Sequence, residues 1–291
     1  MPDSRSLFIF GMGFSSKAIA EKSRNAFGKI VGTTRSPEKI DALKNEGFDS
    51  IIFDGAMTDE IAGELATASH LLISIAPGEA DPILPLLTDI NLQCPKLEWI
   101  GYLSTVGVYG NHDGEWVDEL TELRPVSKRS KERVAAENSW RELATNANLP
   151  LAIFRLSGIY GPGRNTFKTI EKGKSRRLVK PGQVFNRIHV EDIGTAVALS
   201  MQSNIGGIFN ITDDMPAPPQ DVVTYAYELI GKEPPAEIDF ETADLTPMAR
   251  SFYGENKRVS NAKSKSELGM SYKWPNYKVS LQRMWEEGLW R

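Results

Sequence analysis

The amino-acid sequence predicts an α/β fold: a doubly wound parallel sheet followed by a small C-terminal cap. Two observations predict it. Short apolar runs alternate with helical patterns through the first half of the chain, which places parallel strands between two helical layers. The first run, Leu7-Phe8-Ile9-Phe10, breaks into Gly11-Met12-Gly13-Phe14-Ser15-Ser16, and a helical pattern opens at Lys17. A strand, a glycine turn and a helix are the context of a dinucleotide fingerprint. Gly11 allows the tight turn, and Gly13 lets the backbone approach a pyrophosphate at the helix N-terminus. Ser16 replaces the third glycine; it is small enough for close helix–sheet packing and adds a hydroxyl donor. A glycine turn without a ligand is the competing reading.

The remaining elements follow in order. Lys29–Thr34 reads as the second strand. Ser36 is expected to cap the next helix, with Pro37 at its first position and Glu38 in its first turn. Ile40 and Leu43 supply its apolar stripe and Gly47 its stop. Ser50–Phe53, Leu71–Ile75, Trp99–Leu103 and Leu151–Phe154 continue the strands. Between the last two, a helix from about Arg129 carries Ala136, Trp140, Leu143 and Ala147 on one face. Gly206–Ile211 reads as one more strand. Val222, Val223, Ala226, Leu229 and Ile230 form the inner face of a helix, and the Tyr-, Trp- and charge-rich remainder reads as the cap. Residues 1–165, with a return at about 186–215, are thus expected to bind the dinucleotide. Residues 216–291, with 166–185 contributing, are expected to cover the substrate side.

Composition narrows the function. Among 291 residues, 25% are charged and the net charge is −4, which excludes a broad basic face for nucleic acid but not a local basic pocket. Cys94 stands alone, so no intrachain disulfide forms, and a structural thiol in a cytoplasmic protein is expected. The stretch Met1–Ser6 leads directly into the first strand and suggests no signal peptide. No apolar run approaches the ~20 residues of a membrane span.

The second strand ends in Thr33-Thr34-Arg35, about 20 residues beyond the turn, where an acid would bind the ribose of NAD. Arg35 instead offers a planar fork suited to a phosphate. NADP is therefore the expected cofactor and NAD the second choice; a solvated surface arginine is the alternative. Asp54 is placed to meet the adenine edge. Ile75, Ala76 and Pro77, after Ser74, end the fourth strand with residues that permit close backbone approach.

Several later segments together resemble the extended short-chain dehydrogenase/reductase family, the group of nucleotide-sugar epimerases and dehydratases. Ser104-Thr105-Val106-Gly107-Val108-Tyr109-Gly110 is similar to its fifth-strand motif, which implies that Thr105 is the catalytic hydroxyl and that Ser104 adjoins the cofactor. Arg155-Leu156-Ser157-Gly158-Ile159-Tyr160-Gly161-Pro162-Gly163 resembles the loop beside the nicotinamide, which implicates Ser157. Asn186-Arg187-Ile188-His189-Val190-Glu191-Asp192-Ile193 resembles the segment that returns the chain to the main domain. Asn210–Asp214 and Lys257-Arg258-Val259-Ser260-Asn261 match late family segments. The resemblance spans nearly the whole chain and implies a Rossmann fold, a nicotinamide cofactor and a homodimer paired through the helix after the fourth strand and the Arg129–Ala147 helix. Trp140, beside small alanines, suits such packing; coverage of the sheet by the same face is the alternative.

One departure bears on chemistry. The family places Tyr-x-x-x-Lys on the helix after the fifth strand, where this sequence aligns Arg129 and Arg133. Arginine keeps its proton below about pH 12 and cannot act as the acid or base. Arg133 can still bond the cofactor ribose. The pattern resembles an atypical branch that keeps the fold and lacks the tyrosine. Four residues apart, the two arginines share a helix face and call for an anion, from the substrate or from Glu132, Glu137 or Asp118. Tyr109 and Tyr160 are the candidate substitute proton donors, with packing as their alternative role. His189 is expected to bond a backbone carbonyl. His70 and His112 lack partners at metal-ligand spacing, so no metal site is expected. Lys172, Lys174, Arg176, Arg177 and Lys180 border the family's diphosphate region or form a solvated loop. Trp274, Tyr277, Trp285 and Trp290 read as cap core.

Two functions follow. The first is an NADP-dependent oxidoreductase or epimerase/dehydratase acting on a polar, anionic small molecule such as a nucleotide sugar. The second is a silent NADP(H)-binding sensor or interaction module. The arginine pair favours the second; the Ser104-Thr105 and Gly161-Pro162-Gly163 segments favour the first.

Overall fold

A computed structural model describes residues 5–291; Met1–Ser4, part of the stretch that suggests no signal peptide, lie outside the described residues. In chain order the strands are β1 (Ser6–Phe10), β2 (Lys29–Thr34), β3 (Asp49–Ile52), β4 (His70–Ile73), β5 (Trp99–Thr105), β6 (Trp116–Val117), β7 (Leu151–Leu156), β8 (Gly158–Tyr160), β9 (Arg177–Val179), β10 (Arg187–His189), β11 (Gly207–Ile211), β12 (Glu237–Asp239) and β13 (Arg258–Val259). The helices up to residue 229 are α1 (Phe14–Ser23), α2 (Glu38–Asn45), α3 (Asp59–Thr67), α4 (Ile90–Gln93), α5 (Lys128–Ala147), α6 (Thr166–Glu171), α7 (Val190–Gln202) and α8 (Pro219–Leu229).

The main sheet is seven-stranded in the order β11-β7-β5-β4-β1-β2-β3, with every neighbouring pair parallel. The remaining strands pair as β8 with β10, β9 with β12 and β6 with β13. Alternation along β1 sends Leu7 and Ile9 into the core under α1 and α7, and Phe8 and Phe10 into the core under α3 and α5, as the two-residue repeat of a doubly covered strand requires. A Cβ on Gly194 would lie 2.7 Å from the Ala18 carbonyl oxygen, so glycine there lets α7 lie directly on α1. Strand order reverses between β1 and β4, and in such sheets the ligand crevice opens at that reversal, beyond the carboxyl ends of the strands.

Two local expectations are corrected. Pro37, with φ −54° and ψ −38°, occupies the N-cap of α2. Ser36 supplies its carbonyl to Lys39 N at 3.0 Å, because its own amide is turned back to Thr34 Oγ1. After β4 the chain forms a one-turn 3-10 helix, Leu84–Leu86, and the four-residue α4. Trp140 is fully buried, 6.2 Å from the Tyr102 ring, and its Nε1 donates to Asp81 Oδ2 at 2.9 Å. The face expected to meet a second chain therefore covers the sheet of its own.

Beyond β11, Trp274, Tyr277 and Trp290 join Phe167, Val222 and Ala226 in a separate core. Trp285 is 38% exposed, stacked at 5.9 Å on Trp290, so it sits at the margin of that core. Among the described residues no helix is long and apolar enough to cross a membrane.

Candidate active site

The turn after β1 is built by steric necessity. Gly11 has φ +97°, and a Cβ there would lie 2.9 Å from Ile75 Cγ1, so glycine is required where the turns after β1 and β4 meet. Thr33, at the carboxyl end of β2, locks this turn: its Oγ1 accepts from Gly11 N at 2.9 Å and its carbonyl from Met12 N at 2.7 Å. Gly13 is different. Its φ of −99° suits any residue, and a Cβ there would meet no protein atom within 4 Å. The fold does not need a glycine at this position, whereas an anion approaching the first turn of α1 does. No acidic residue stands in that turn and no side chain caps it, which leaves its amides for an incoming acceptor. Phe14 and Ser15 open the helix. The Ser16 hydroxyl is fully buried without a partner; it packs against the sheet, which corrects its expected role as a donor to the ligand, and Ser15 lines the cavity instead.

Farther along the same edge, Arg35 is exposed just past Thr34 at the end of β2, with no ion pair among the described residues. Asp54 follows β3, exposed, and accepts from Ala56 N at 3.2 Å. Ala76 and Pro77 continue the turn that Ile75 presses against Gly11. An open cradle, a helix end without acids and an arginine at the second strand's end together fit a phosphate-bearing dinucleotide.

The turn opens into a cavity of about 1220 Å³ beyond the carboxyl ends of β4, β5 and β7. Register places Thr105 beside Leu156; both line the cavity with Ser157, whose hydroxyl donates to the Ile211 carbonyl at 3.3 Å. The Thr105 Oγ1 accepts from Gly107 N at 3.1 Å and keeps its own proton for a ligand. Arg129 and Arg133, on α5, also line the cavity. Arg133 Nη1 donates to the Leu103 carbonyl at 2.7 Å and to Tyr102 Oη at 3.2 Å.

Two residues turn inward. Ser104 lines the cavity, but its hydroxyl donates to Glu137 Oε1 and is engaged with the core. Glu137 is closed on Arg155 at 2.7 Å, with side chains 2% and 3% exposed. Tyr109 is fully buried; its hydroxyl donates to Asn210 Oδ1 at 2.8 Å and accepts from Arg155 Nη1 at 3.0 Å. Burial pushes its pKa up to about 12. Tyr109 is a structural phenol and not a proton donor to a ligand, because the turn after β5 folds it beneath β11. Tyr160 does line the cavity, but its hydroxyl donates to Ser280 Oγ at 2.7 Å and burial raises its pKa.

The histidines are structural. His189 Nδ1 accepts from Glu191 N at 3.2 Å and caps α7, rather than donating to a carbonyl as expected, and its ring stacks at 4.1 Å on Trp274. His70 Nε2 faces Met201 O and Asn204 Oδ1, and His112 Nε2 bonds Tyr109 O. In the basic cluster, Lys174 and Arg176 reach the cavity. Arg177 pairs with Glu237 and Lys180 donates to Tyr253 O. A further cation was not singled out by sequence: Lys257, 6% exposed, lines the cavity and donates to Gly110 O and Glu255 Oε2, both at 2.7 Å. Its signal was present in the Lys257–Asn261 segment, whose resemblance says nothing of burial.

Residues 92–212 match the NAD dependent epimerase/dehydratase family. A functionally unknown conserved protein from Silicibacter pomeroyi DSS is 45% identical, over 99% of this chain and 100% of its own, with a TM-score of 0.88. UDP-glucuronic acid 4-epimerase from Bacillus cereus, in complex with NAD, is 17% identical over 98% and 100% of the two chains, TM-score 0.74. dTDP-glucose 4,6-dehydratase from Bacillus anthracis str. Ames, also in complex with NAD, is 18% identical over 98% and 97%, TM-score 0.76. At these identities the last two establish a shared fold. No curated protein matches the chain.

Proposed function

We propose that this chain, which belongs to the NAD-dependent epimerase/dehydratase family, is an NADP(H)-dependent enzyme acting on a polar, anionic small molecule such as a nucleotide sugar. One observation carries the reading: the Gly11–Ser15 turn, with its open face at Gly13, leads into a single cavity floored by Thr105 and walled by arginines. In this reading the first-turn amides of α1 hold the pyrophosphate, Arg35 the ribose phosphate, and Asp54 the adenine edge. Residues 1–165 and 186–215 hold the dinucleotide, and 216–291 with 166–185 close over the substrate. When bound, the nicotinamide supplies or accepts a hydride.

The chain's own residues orient the substrate. Thr105 Oγ1 donates to the reacting oxygen. Arg133, pinned to the Leu103 carbonyl, holds a fixed positive charge at the floor. Neither moves a proton, and the hydroxyls of Tyr109 and Tyr160 are engaged elsewhere. That specific feature supports the second reading, an NADP(H)-binding sensor without turnover. Incubating the purified protein with NADP⁺ or NADPH and a panel of nucleotide sugars separates them. The enzyme reading expects a change in nicotinamide absorbance or an altered sugar in the NMR spectrum. Tight cofactor binding with neither change across the panel favours the sensor.

A further inference from the structure

Two of the guanidinium groups that line the cavity, on one helix, have no carboxylate to answer them among the described residues. Arg129 and Arg133 stand four residues apart on α5 and so share a face. The Arg133 guanidinium lies over the Tyr102 ring, 5.6 Å from its centroid, and its Nη1 is engaged by Leu103 O and Tyr102 Oη. The other edge, Nε with Nη2, is a coplanar pair of donors with no partner among the described residues. Arg129 is exposed at the cavity and likewise makes no ion pair or hydrogen bond among them.

None of the acids that could neutralise the pair makes an ion pair with it among the described residues. Glu132 lies 3.8 Å from Lys128, whose short bond goes to Glu79, and makes no ion pair with either arginine; Glu137 is closed on Arg155, and Asp118 accepts from Leu120 N and Thr121 Oγ1 in its own turn. The carboxylate of the cavity lining, Glu255, is held by Lys257. A guanidinium cannot shed its charge when crowded, so the compensation has to come from a ligand. On another wall of the same cavity, Lys174 and Arg176 form a second cationic group, also without a carboxylate partner among the described residues.

We propose that Arg129 and Arg133 form a carboxylate fork at the reacting end of the substrate site. This rests on the reading of the cavity as that site. The two coplanar oxygens of a carboxylate match the free Nε/Nη2 edge of Arg133 in bidentate geometry, while Arg129 closes from one helical turn away. Because Arg133 is anchored to Leu103, two residues before Thr105, an acid held there presents its adjacent carbon to the Thr105 hydroxyl. The substrate class is then a hydroxy acid, oxo acid or sugar acid, with a second anionic group, a phosphate, for Lys174 and Arg176. The arginines replace proton transfer at this position with recognition.

The test uses two probes that differ at one group: 3-phosphoglycerate, which carries a carboxylate, and glycerol 3-phosphate, which carries a hydroxymethyl. Each is titrated calorimetrically into the full chain, with and without NADP⁺. The fork predicts that 3-phosphoglycerate binds about tenfold or more tightly than glycerol 3-phosphate, in both states. Arg129→Gln, at an exposed position without partners, removes most of that preference and leaves glycerol 3-phosphate affinity within about twofold; Arg133→Lys, which keeps the charge and loses the planar edge, does the same. Equal affinity for the two probes, binding of neither, or a preference untouched by Arg129→Gln overturns the fork. Loss of glycerol 3-phosphate affinity in Arg129→Gln overturns it in favour of a phosphate site. A parallel NADP⁺ titration that shows no binding overturns the oxidoreductase reading instead, while the probes in cofactor-free protein still report on the arginines.

Discussion

Valine in place of Gly13 separates cofactor binding from folding. Gly13 has φ −99° and ψ −165°, a region open to L residues, and a Cβ there would meet no protein atom within 4 Å. The fold therefore loses little, about 0.5–1 kcal/mol for an aliphatic residue at a helix N-cap. A pyrophosphate drawn to the first-turn amides of α1 would meet two methyl groups instead of a bare backbone. Losing two charge-assisted hydrogen bonds of about 1.5–3 kcal/mol each weakens NADP⁺ about a hundredfold or more. Gly11→Ala is the contrasting variant. Its φ of +97° and the 2.9 Å approach of Ile75 Cγ1 lower stability itself, by about 1–2 kcal/mol. Urea unfolding and calorimetric titration of both variants distinguish the two effects. Normal NADP⁺ affinity in a folded Gly13→Val protein refutes the phosphate cradle.

Three further outcomes are expected. Arg35→Ala lowers NADP⁺ affinity by about tenfold or more and leaves NAD⁺ affinity unchanged in the same titration; an equal loss for both removes Arg35 from phosphate recognition. Arg155→Met leaves Glu137 buried and unpaired beneath Ser104 and costs about 3–5 kcal/mol, read from urea unfolding at neutral pH; a loss under 1 kcal/mol would mean that the pair is not closed as described. Burial draws the His189 pKa from 6.5 down to about 4, so between those values the unfolded chain takes up a proton that the folded chain refuses, and stability falls as pH is lowered. His189→Asn keeps the cap on α7 and removes this contribution of up to about 3 kcal/mol, so its stability changes less than the wild type's between pH 7 and pH 4.5; parallel slopes contradict the assignment.

The parallel sheet and the glycine turn between β1 and α1 were legible in the sequence because their signals are local. Apolar runs, glycine spacing and an arginine at the end of β2 each act within a few residues. What escaped depends on contacts across the chain. Tyr109 is made structural by Asn210, 101 residues away, and no periodicity around Tyr109 records that. Trp140 on α5 reads equally as an interface or a core residue until Asp81 and Tyr102 are seen to enclose it. Ser36 looks like a cap by residue type, yet Pro37 is already helical and takes the position. Lys257 gave no local sign of burial: Glu255 is a neighbour in the chain, but Gly110, 147 residues away, meets it only through the fold that pairs β13 with β6. The arginine pair was visible from spacing alone, but its lack of carboxylate partners follows from Glu137 being drawn to Arg155 across the sheet.

The most direct test of the account is a crystal structure of the full chain with NADP⁺ diffused into the lattice. The account predicts a pyrophosphate against the amides that follow Gly13, a ribose phosphate on the Arg35 guanidinium, and a nicotinamide entering the cavity beside Thr105 and Arg133. A dinucleotide bound elsewhere, or a nicotinamide that stays outside the cavity lined by Thr105, contradicts it.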